Sequence, residues 1–333
     1  MAEETVKLPN PSSLVVSSSP HIHQPQNARR VMLTVVLALL PACVAGVYFF
    51  GWPALRVILV TSIACIAFEA FFCKLFKRPN AIGDFSALLT GILLGMNLSA
   101  ATPWWVCVIG ALLAIGLGKQ LYGGLGYNIF NPALVGRVGL LIAFPKLMTT
   151  WVTPTPGNFL PDAVTTATPL DLASQGTINA DYFNYFVGNM GGCIGETSAA
   201  ALLLGGVVLV YFGYIRWQVP TAYITTLALI TWGVHLANPA TTPTPLFHIL
   251  TGGLMIGAIF MATDMVTSPM TKLGAVVFGI GCGVVTCVIR VWGNYPEGVS
   301  FAILFMNALV PLINRYTATR PFGLATRNRE ANA

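Results

Sequence analysis

The chain has 333 residues, 55% of them hydrophobic and 8% charged, with a formal net charge of +6. Soluble domains carry about 25% charged residues, so this composition excludes a water-soluble globular protein and predicts an all-α integral membrane protein. In such a protein the basic excess reports which loops lie on the cytoplasmic side, and no nucleic-acid partner is expected.

Residues 1–28 are rich in Ser, Pro, Gln and His. They lack the early apolar core of a signal peptide and read as a disordered cytoplasmic tail. A first transmembrane repeat is predicted over 29–146, with spans near 31–50, 54–73, 84–100, 103–118 and 132–146. The run 119–146 is broken by "YGGLGYNIFNPALVG". Residues 147–189 form a long polar loop. A second repeat over 190–315 has spans near 190–213, 218–237, 247–264, 273–292 and 299–314, and 316–333 is a basic tail. About ten helices result, at about 20 apolar residues per crossing.

The charges fix an orientation. Lys7, Arg29 and Arg30 precede the first span. Lys74, Lys77 and Arg78 follow the second, Lys119 the fourth, Arg216 the sixth, Lys272 the eighth, and Arg315, Arg320, Arg327 and Arg329 the tenth. Every second loop is basic, which predicts both termini in the cytoplasm and 147–189 on the periplasmic side of a bacterial inner membrane. The halves also echo each other. "DFSALLTGILLG" (84–95) is like "ETSAAALLLGGV" (196–207), and "FNPALVGRVG" (130–139) is like "TSPMTKLGAV" (267–276). Five spans per half would make the repeats inverted, with broken helices, a transporter-like plan.

Acids at membrane depth are costly and so are functional candidates. Glu69 lies near the cytoplasmic end of span two, Asp84 opens span three, Glu196 opens span six and Asp264 closes span eight. These four are candidates for an ion pathway. For the last three, hydration at the membrane edge or capping of a helix is the competing account. "YGGLGYNIFNPA" (122–133) offers Gly123 and Gly124, which would let backbone approach a ligand, and Asn128 and Asn131 as amide donors and acceptors. A bend in a broken helix is the alternative. The seven cysteines form no C-x-x-C pair, so no metal site or catalytic side chain of its own is expected. "PDAVTTATPLD" (161–171) gathers Thr165, Thr166 and Thr168 in a polar loop with no adjacent base, so none is a self-activated nucleophile.

The segments "GKQLYGGLGYNIFNPALVG" (118–136), "DAVTTATPLD" (162–171), "FMATDMVTSP" (260–269) and "LVPLINRYTATRPFG" (309–323) together resemble the RnfD family of Rnf complexes, with its sister, the NqrB family of the sodium-pumping NADH:quinone reductase. The resemblance spans about residues 28–323. It implies about ten membrane helices and an FMN joined through its phosphate to the last residue of a Ser/Thr-Gly-Ala-Thr motif. Here that motif reads Thr165-Thr166-Ala167-Thr168, with Thr166 in place of glycine, so Thr168 is the implied attachment point. Thr165 and Asp162 belong to the address read by a flavin transferase. The sister family also holds a non-covalent riboflavin near an Asn-x-x-Asn-Pro segment like Asn128–Pro132. The implied role is electron transfer between ferredoxin and NAD, coupled to Na+ or H+ movement, in contact with membrane lipid and with the other Rnf proteins, RnfA, RnfB, RnfC, RnfE and RnfG. The rival readings are a component of the quinone-reducing complex, a flavin-free transporter or channel, and a redox-inert scaffold.

Overall fold

The computed structural model describes residues 27–78, 81–159, 164–176, 181–239, 242–293 and 298–318. Asp162 and most of both tails lie outside the described residues. Within them the chain is all-α apart from one pair of two-residue strands.

The first helix, α1 (Ala28–Leu75), has 48 residues, broken at Gly51, whose φ of 65° and ψ of −149° are not helical. A straight helix of that length would measure about 72 Å, more than twice the hydrocarbon thickness. The break turns it into two arms. Pro53 falls in the first turn of the second arm, where its missing N–H costs nothing. Both arms flank α2 (Ser86–Met96). In the first arm Val31 shares a cavity with Ser86, and Cys43 donates to Met96 Sδ at 3.5 Å. In the second, a Cβ on Gly91 would meet Ser62 and one on Gly95 would meet Ile58. The arms therefore run antiparallel, so predicted spans one and two form a hairpin.

Next comes α3 (Trp104–Leu112), which continues as a π-helical stretch, Leu113–Gln120. A glycine-rich turn leads to α4 (Pro132–Ala143) and the short α5 (Pro145–Met148). Strand β1 (Trp151–Val152) pairs antiparallel with β2 (Thr165–Thr166), Val152 opposite Thr165. Two short helices follow, α6 (Pro169–Ser174) and α7 (Tyr182–Val187). The remainder is α8 (Ala199–Tyr211), α9 (Gln218–Ala237), α10 (Pro245–Leu250), α11 (Leu254–Ile256) with a π-helical continuation Gly257–Met261, α12 (Lys272–Trp292) and α13 (Val299–Thr317). Helices α4, α6 and α10 start alike. Asn131, Thr168 and Thr244 cap them, each accepting from a backbone N–H of the first turn, and each is followed by proline. That order suits a helix start, since proline presets φ and lacks only an N–H that would go unpaired there.

Four helices among the described residues are long and apolar enough to cross a membrane: both-arm α1, α9, α12 and α13. Four shorter apolar helices cover 86–96, 104–120, 132–143 and 199–211. Two predicted spans are not single helices. Over 190–213 the α-helix starts only at Ala199, because Ser198 caps it there, and a single 3-10 turn, Ile194–Glu196, precedes it. Over 247–264 the chain is split by Thr251 and Gly252, the latter at φ 70°.

The ends of the bundle differ. One gathers Val31, Ser86, Lys119, Tyr214 and Met265 around one cavity. At the other, residues 155–159 lie on the Gly51 bend, with Thr155 N donating to Phe49 O at 2.9 Å and Trp52 N donating to Phe159 O at 2.8 Å.

Candidate functional site

Two sites emerge, one at each end. At the first, Lys119 projects from the π-helical stretch and is buried at 1% exposure, facing Glu69 on the second arm of α1 at 0%. Its ammonium donates to both Glu69 carboxylate oxygens at 2.7 Å and to Ser86 Oγ at 2.6 Å. Gln120 Nε2 adds a bond to Glu69 at 3.2 Å. The Ser86 hydroxyl donates in turn to Asp84 Oδ1. The ammonium's three protons all meet oxygens, as a charge removed from water requires. A π-helical turn is where such a residue is often re-aimed, because the extra residue per turn rotates the face that follows.

Lys119 and Ser86 also line a cavity of about 80 Å³, together with Asn128, Asn131 and Asp264. Asp264 accepts from Thr267 Oγ1 at 3.1 Å. Three of the four predicted ion-path acids therefore converge here: Glu69, Asp84 and Asp264. Glu196 does not. It sits apart, where its carboxylate accepts from Cys193 N at 3.3 Å and shares a small polar recess with Asn97 and Arg137. Arg137 in turn reaches Cys193 Sγ at 3.0 Å.

The asparagines are already engaged. Asn131 caps α4 by accepting from Ala133 N at 3.1 Å and donates to Met261 O at 3.2 Å. With its amide turned to match its neighbours, Asn307 accepts from Asn131 N and donates to Thr267 O. Asn128 donates to Phe130 O at 3.1 Å. Gly123 and Gly124 lie in the turn before α4 and are not among the residues that line this cavity. Their φ values of 130° and 101° show their use, a turn closed to L side chains. The cavity is also smaller than the roughly 300 Å³ at which small-molecule pockets begin. In this conformation its walls do not seat a riboflavin.

The second site surrounds Thr168. The three threonines of the polar loop differ in exposure: Thr165 is exposed and Thr166 half-buried, but Thr168 is 4% exposed. The cause is local. Thr168 is the cap of α6, accepting from Asp171 N at 3.1 Å and donating to Asp171 Oδ2 at 2.8 Å, a reciprocal capping box. Thr166 and Ala167 lie over Gly191, where a Cβ would come within 2.3 Å of Thr166 Cγ2.

Asp171 forms part of the wall of a second cavity, of about 490 Å³, bounded also by Leu170, Ser174, His248, Arg290 and Trp292. The Thr168 hydroxyl is thus one hydrogen bond from this space. Arg290, near the end of α12, donates to His248 O at 2.6 Å and Thr251 O at 3.2 Å. Its Nε, and Nδ1 of His248, are buried with no hydrogen-bond partner among the described residues. Tyr182 Oη and Thr244 Oγ1 lie 2.8 Å apart, and Tyr185 meets Phe247 edge-on, which holds α7 against α10. The size of this cavity and the polar side chains on its wall, Asp171, Ser174, His248 and Arg290, fit a polar aromatic ligand.

Arg56, Arg137 and Arg290 are missed by a reading that looks only for acids. Each lies inside a predicted span, where a cation is as costly as an anion, and that was the available signal. Among the described residues no group of three or more His, Cys, Asp or Glu side chains could hold a metal ion.

A sequence profile of the NQR2, RnfD, RnfE family matches residues 15–323. The chain is similar to the D subunit of the Na(+)-translocating ferredoxin:NAD(+) oxidoreductase complex of Acetobacterium woodii, 44% identical over 97% of this chain and 100% of that one. It is equally similar to the D subunit of the proton-translocating ferredoxin:NAD(+) oxidoreductase complex of Clostridium ljungdahlii, 44% identical over 97% and 99%. The D subunit of the ion-translocating oxidoreductase complex of Stutzerimonas stutzeri is 42% identical over 90% and 93%.

Proposed function

Because the chain belongs to the NQR2, RnfD, RnfE family, we propose that it is the electron-carrying RnfD component of an ion-translocating ferredoxin:NAD+ oxidoreductase. It works in the membrane beside the other Rnf proteins, RnfA, RnfB, RnfC, RnfE and RnfG. One observation carries this: the likeness to the D subunits of ferredoxin:NAD(+) oxidoreductase complexes covers both chains almost end to end, not one domain of them. The two relatives at 44% identity differ in the ion their names carry, so identity does not choose between Na+ and H+.

The proposal extends to topology. The chain crosses the inner membrane about ten times, in two repeats, with both termini cytoplasmic. The antiparallel arms of α1 support two crossings where one long helix would give one. Arg216 and Lys272, joined near the Asn128 end of the bundle through the Arg216 bond to Pro269 O, support the orientation. In favour of two repeats, α4 and α12 both start at a polar cap after a turn, Asn131 and Thr271, and a π-helical stretch precedes each turn.

FMN attached through its phosphate to Thr168 completes the proposal. It supplies one- and two-electron chemistry that no side chain here provides. Thr168 offers the acceptor oxygen, and Asp171, hydrogen-bonded to that oxygen, is placed to orient it. The hydroxyl must leave its capping bond for a flavin transferase to reach it, which a six-residue helix permits at small cost. A non-covalent riboflavin is proposed with the family. The Asn128–Asn131 cavity, at about 80 Å³, would have to widen to receive it.

Purification of the assembled complex from membranes tests the reading. Covalent flavin fluorescence is expected in the band of this chain on a denaturing gel, with ferredoxin-dependent reduction of NAD. A flavin-free band with ion transport intact would favour a channel. Quinone reduction in place of ferredoxin oxidation would favour the sister complex.

A further inference from the structure

We propose that the cavity between α6, α10 and the end of α12 holds the ribityl and isoalloxazine part of the FMN carried on Thr168, with Arg290 and His248 as its polar contacts. This rests on the reading of Thr168 as the attachment point.

The argument starts from Arg290. A guanidinium presents five N–H groups in a rigid fork. Two of its nitrogens are committed to carbonyls, His248 O and Thr251 O, which fix the group in place. No carboxylate oxygen is hydrogen-bonded to it, although Glu196 acts on its charge from nearby. Nε remains without a partner, as does the buried Nδ1 of His248 beside it. Both side chains stand on the cavity wall, Arg290 with a fixed charge and His248 with a polar ring. Gly252 shows how closely Arg290 meets α6. A Cβ there would lie 2.7 Å from both Arg290 Nη2 and Leu170 Cδ1, so glycine lets the cation sit against the helix that Thr168 caps.

Size selects the part of the ligand. The cavity of about 490 Å³ lies within the roughly 300–1,000 Å³ range of small-molecule pockets and far exceeds what a phosphate group needs. Trp292, 66% exposed, stands at its wall and offers an aromatic face to a planar ring. Charge selects the orientation. When a flavin ring takes up two electrons and one proton it gains one negative charge, so a fixed cation beside the ring favours the reduced form. Arg290 would therefore hold the FMN potential above that of a solvent-exposed flavin.

The test uses the complete complex, with this chain as wild type, Arg290→Gln or Ser174→Trp. Ser174 is an exposed residue of α6 on the cavity wall, so tryptophan there fills the space without touching the Arg290 bonds. Gel fluorescence reports attachment, iodide quenching reports ring exposure, and a redox titration of the covalent flavin reports its potential. Arg290→Gln is expected to keep its gel fluorescence while the midpoint potential moves negative. Ser174→Trp is expected to raise iodide quenching severalfold. A wild-type band without fluorescence overturns the Thr168 attachment itself. Fluorescent variants with wild-type quenching and potential overturn the cavity and leave the attachment standing. If Arg290→Gln does not assemble, the quenching of Ser174→Trp decides alone.

Discussion

Lys119 and Glu69, 50 residues apart in sequence, form a buried ion pair at 2.7 Å in which one ammonium bridges both carboxylate oxygens and the hydroxyl of Ser86. The pair joins the π-helical end of α3 to the second arm of α1 and stands at the wall of the cavity that Asn128 and Asn131 also line. Removing one member leaves the other charge stranded. Lys119→Met or Glu69→Gln alone is expected to destabilise the fold by about 3–5 kcal/mol, while the double variant recovers most of that loss. Inactivation half-lives of the solubilised complex at a fixed temperature, read as a double-mutant cycle, measure the coupling. Additive single effects would show that the two side chains do not act as a pair.

Asn131 has a structural duty that complicates a simple ligand test. Asn131→Leu removes the α4 cap, at about 0.5–2 kcal/mol, besides any contact with a flavin. Val35→Trp is cleaner, because Val35 lines the same cavity from α1 and caps nothing. It is expected to lower non-covalent riboflavin per complex while leaving covalent fluorescence unchanged. Full riboflavin content in Val35→Trp would place that flavin elsewhere.

Thr168 is the cap of α6 and the proposed acceptor of FMN, and its variants keep or lose both roles together. Thr168→Ser keeps both and is expected to remain fluorescent on a denaturing gel. Thr168→Val loses both, with no fluorescence and about 1 kcal/mol of stability lost at the start of α6. Thr165→Val, at an exposed strand position, is expected to be mild. Peptide mass spectrometry that found flavin on Thr241 instead would refute the assignment.

Orientation is checked by single-cysteine labelling in a background freed of the native cysteines. A cysteine in place of Asn158, beside the Gly51 bend, is expected to react with an impermeant reagent in cells whose inner membrane is intact. A cysteine in place of Lys77 is expected to react only after that membrane is opened. The opposite pattern inverts the topology.

Much of the fold was legible in the sequence because apolar runs, caps and prolines are local signals. The arms of α1, the start of α4 at Asn131–Pro132 and the ends of α12 follow from them. What was not legible depends on distant partners. Lys119 ends an apolar run and reads as a loop charge until the fold brings Glu69 to it. Thr168 sits among threonines and reads as exposed, though Asp171 three residues on was a visible capping signal. Gly123 and Gly124 suggest a ligand, whereas their positive φ values serve a turn. Arg290 carries no sequence mark beyond being a cation in an apolar helix. Its meaning comes from the cavity that α6 and α10 close around it.

The bend at Gly51 also sets an order of events. A Cβ at that position would come within 2.6 Å of Phe159 O and 2.7 Å of Asn158 O, so the outer loop rests directly on bare backbone. That seat is made entirely from the first helical hairpin to leave the ribosome. The loop that leads to Thr168 is synthesised later and can dock only on a hairpin already inserted and folded back. If FMN is attached at Thr168 as proposed, a transferase that recognises the docked loop would act only on chains whose first hairpin is in place. A side chain at residue 51 would clash with the loop at Asn158 and Phe159, and under the proposed attachment its effect is expected more than a hundred residues away, as unmodified protein.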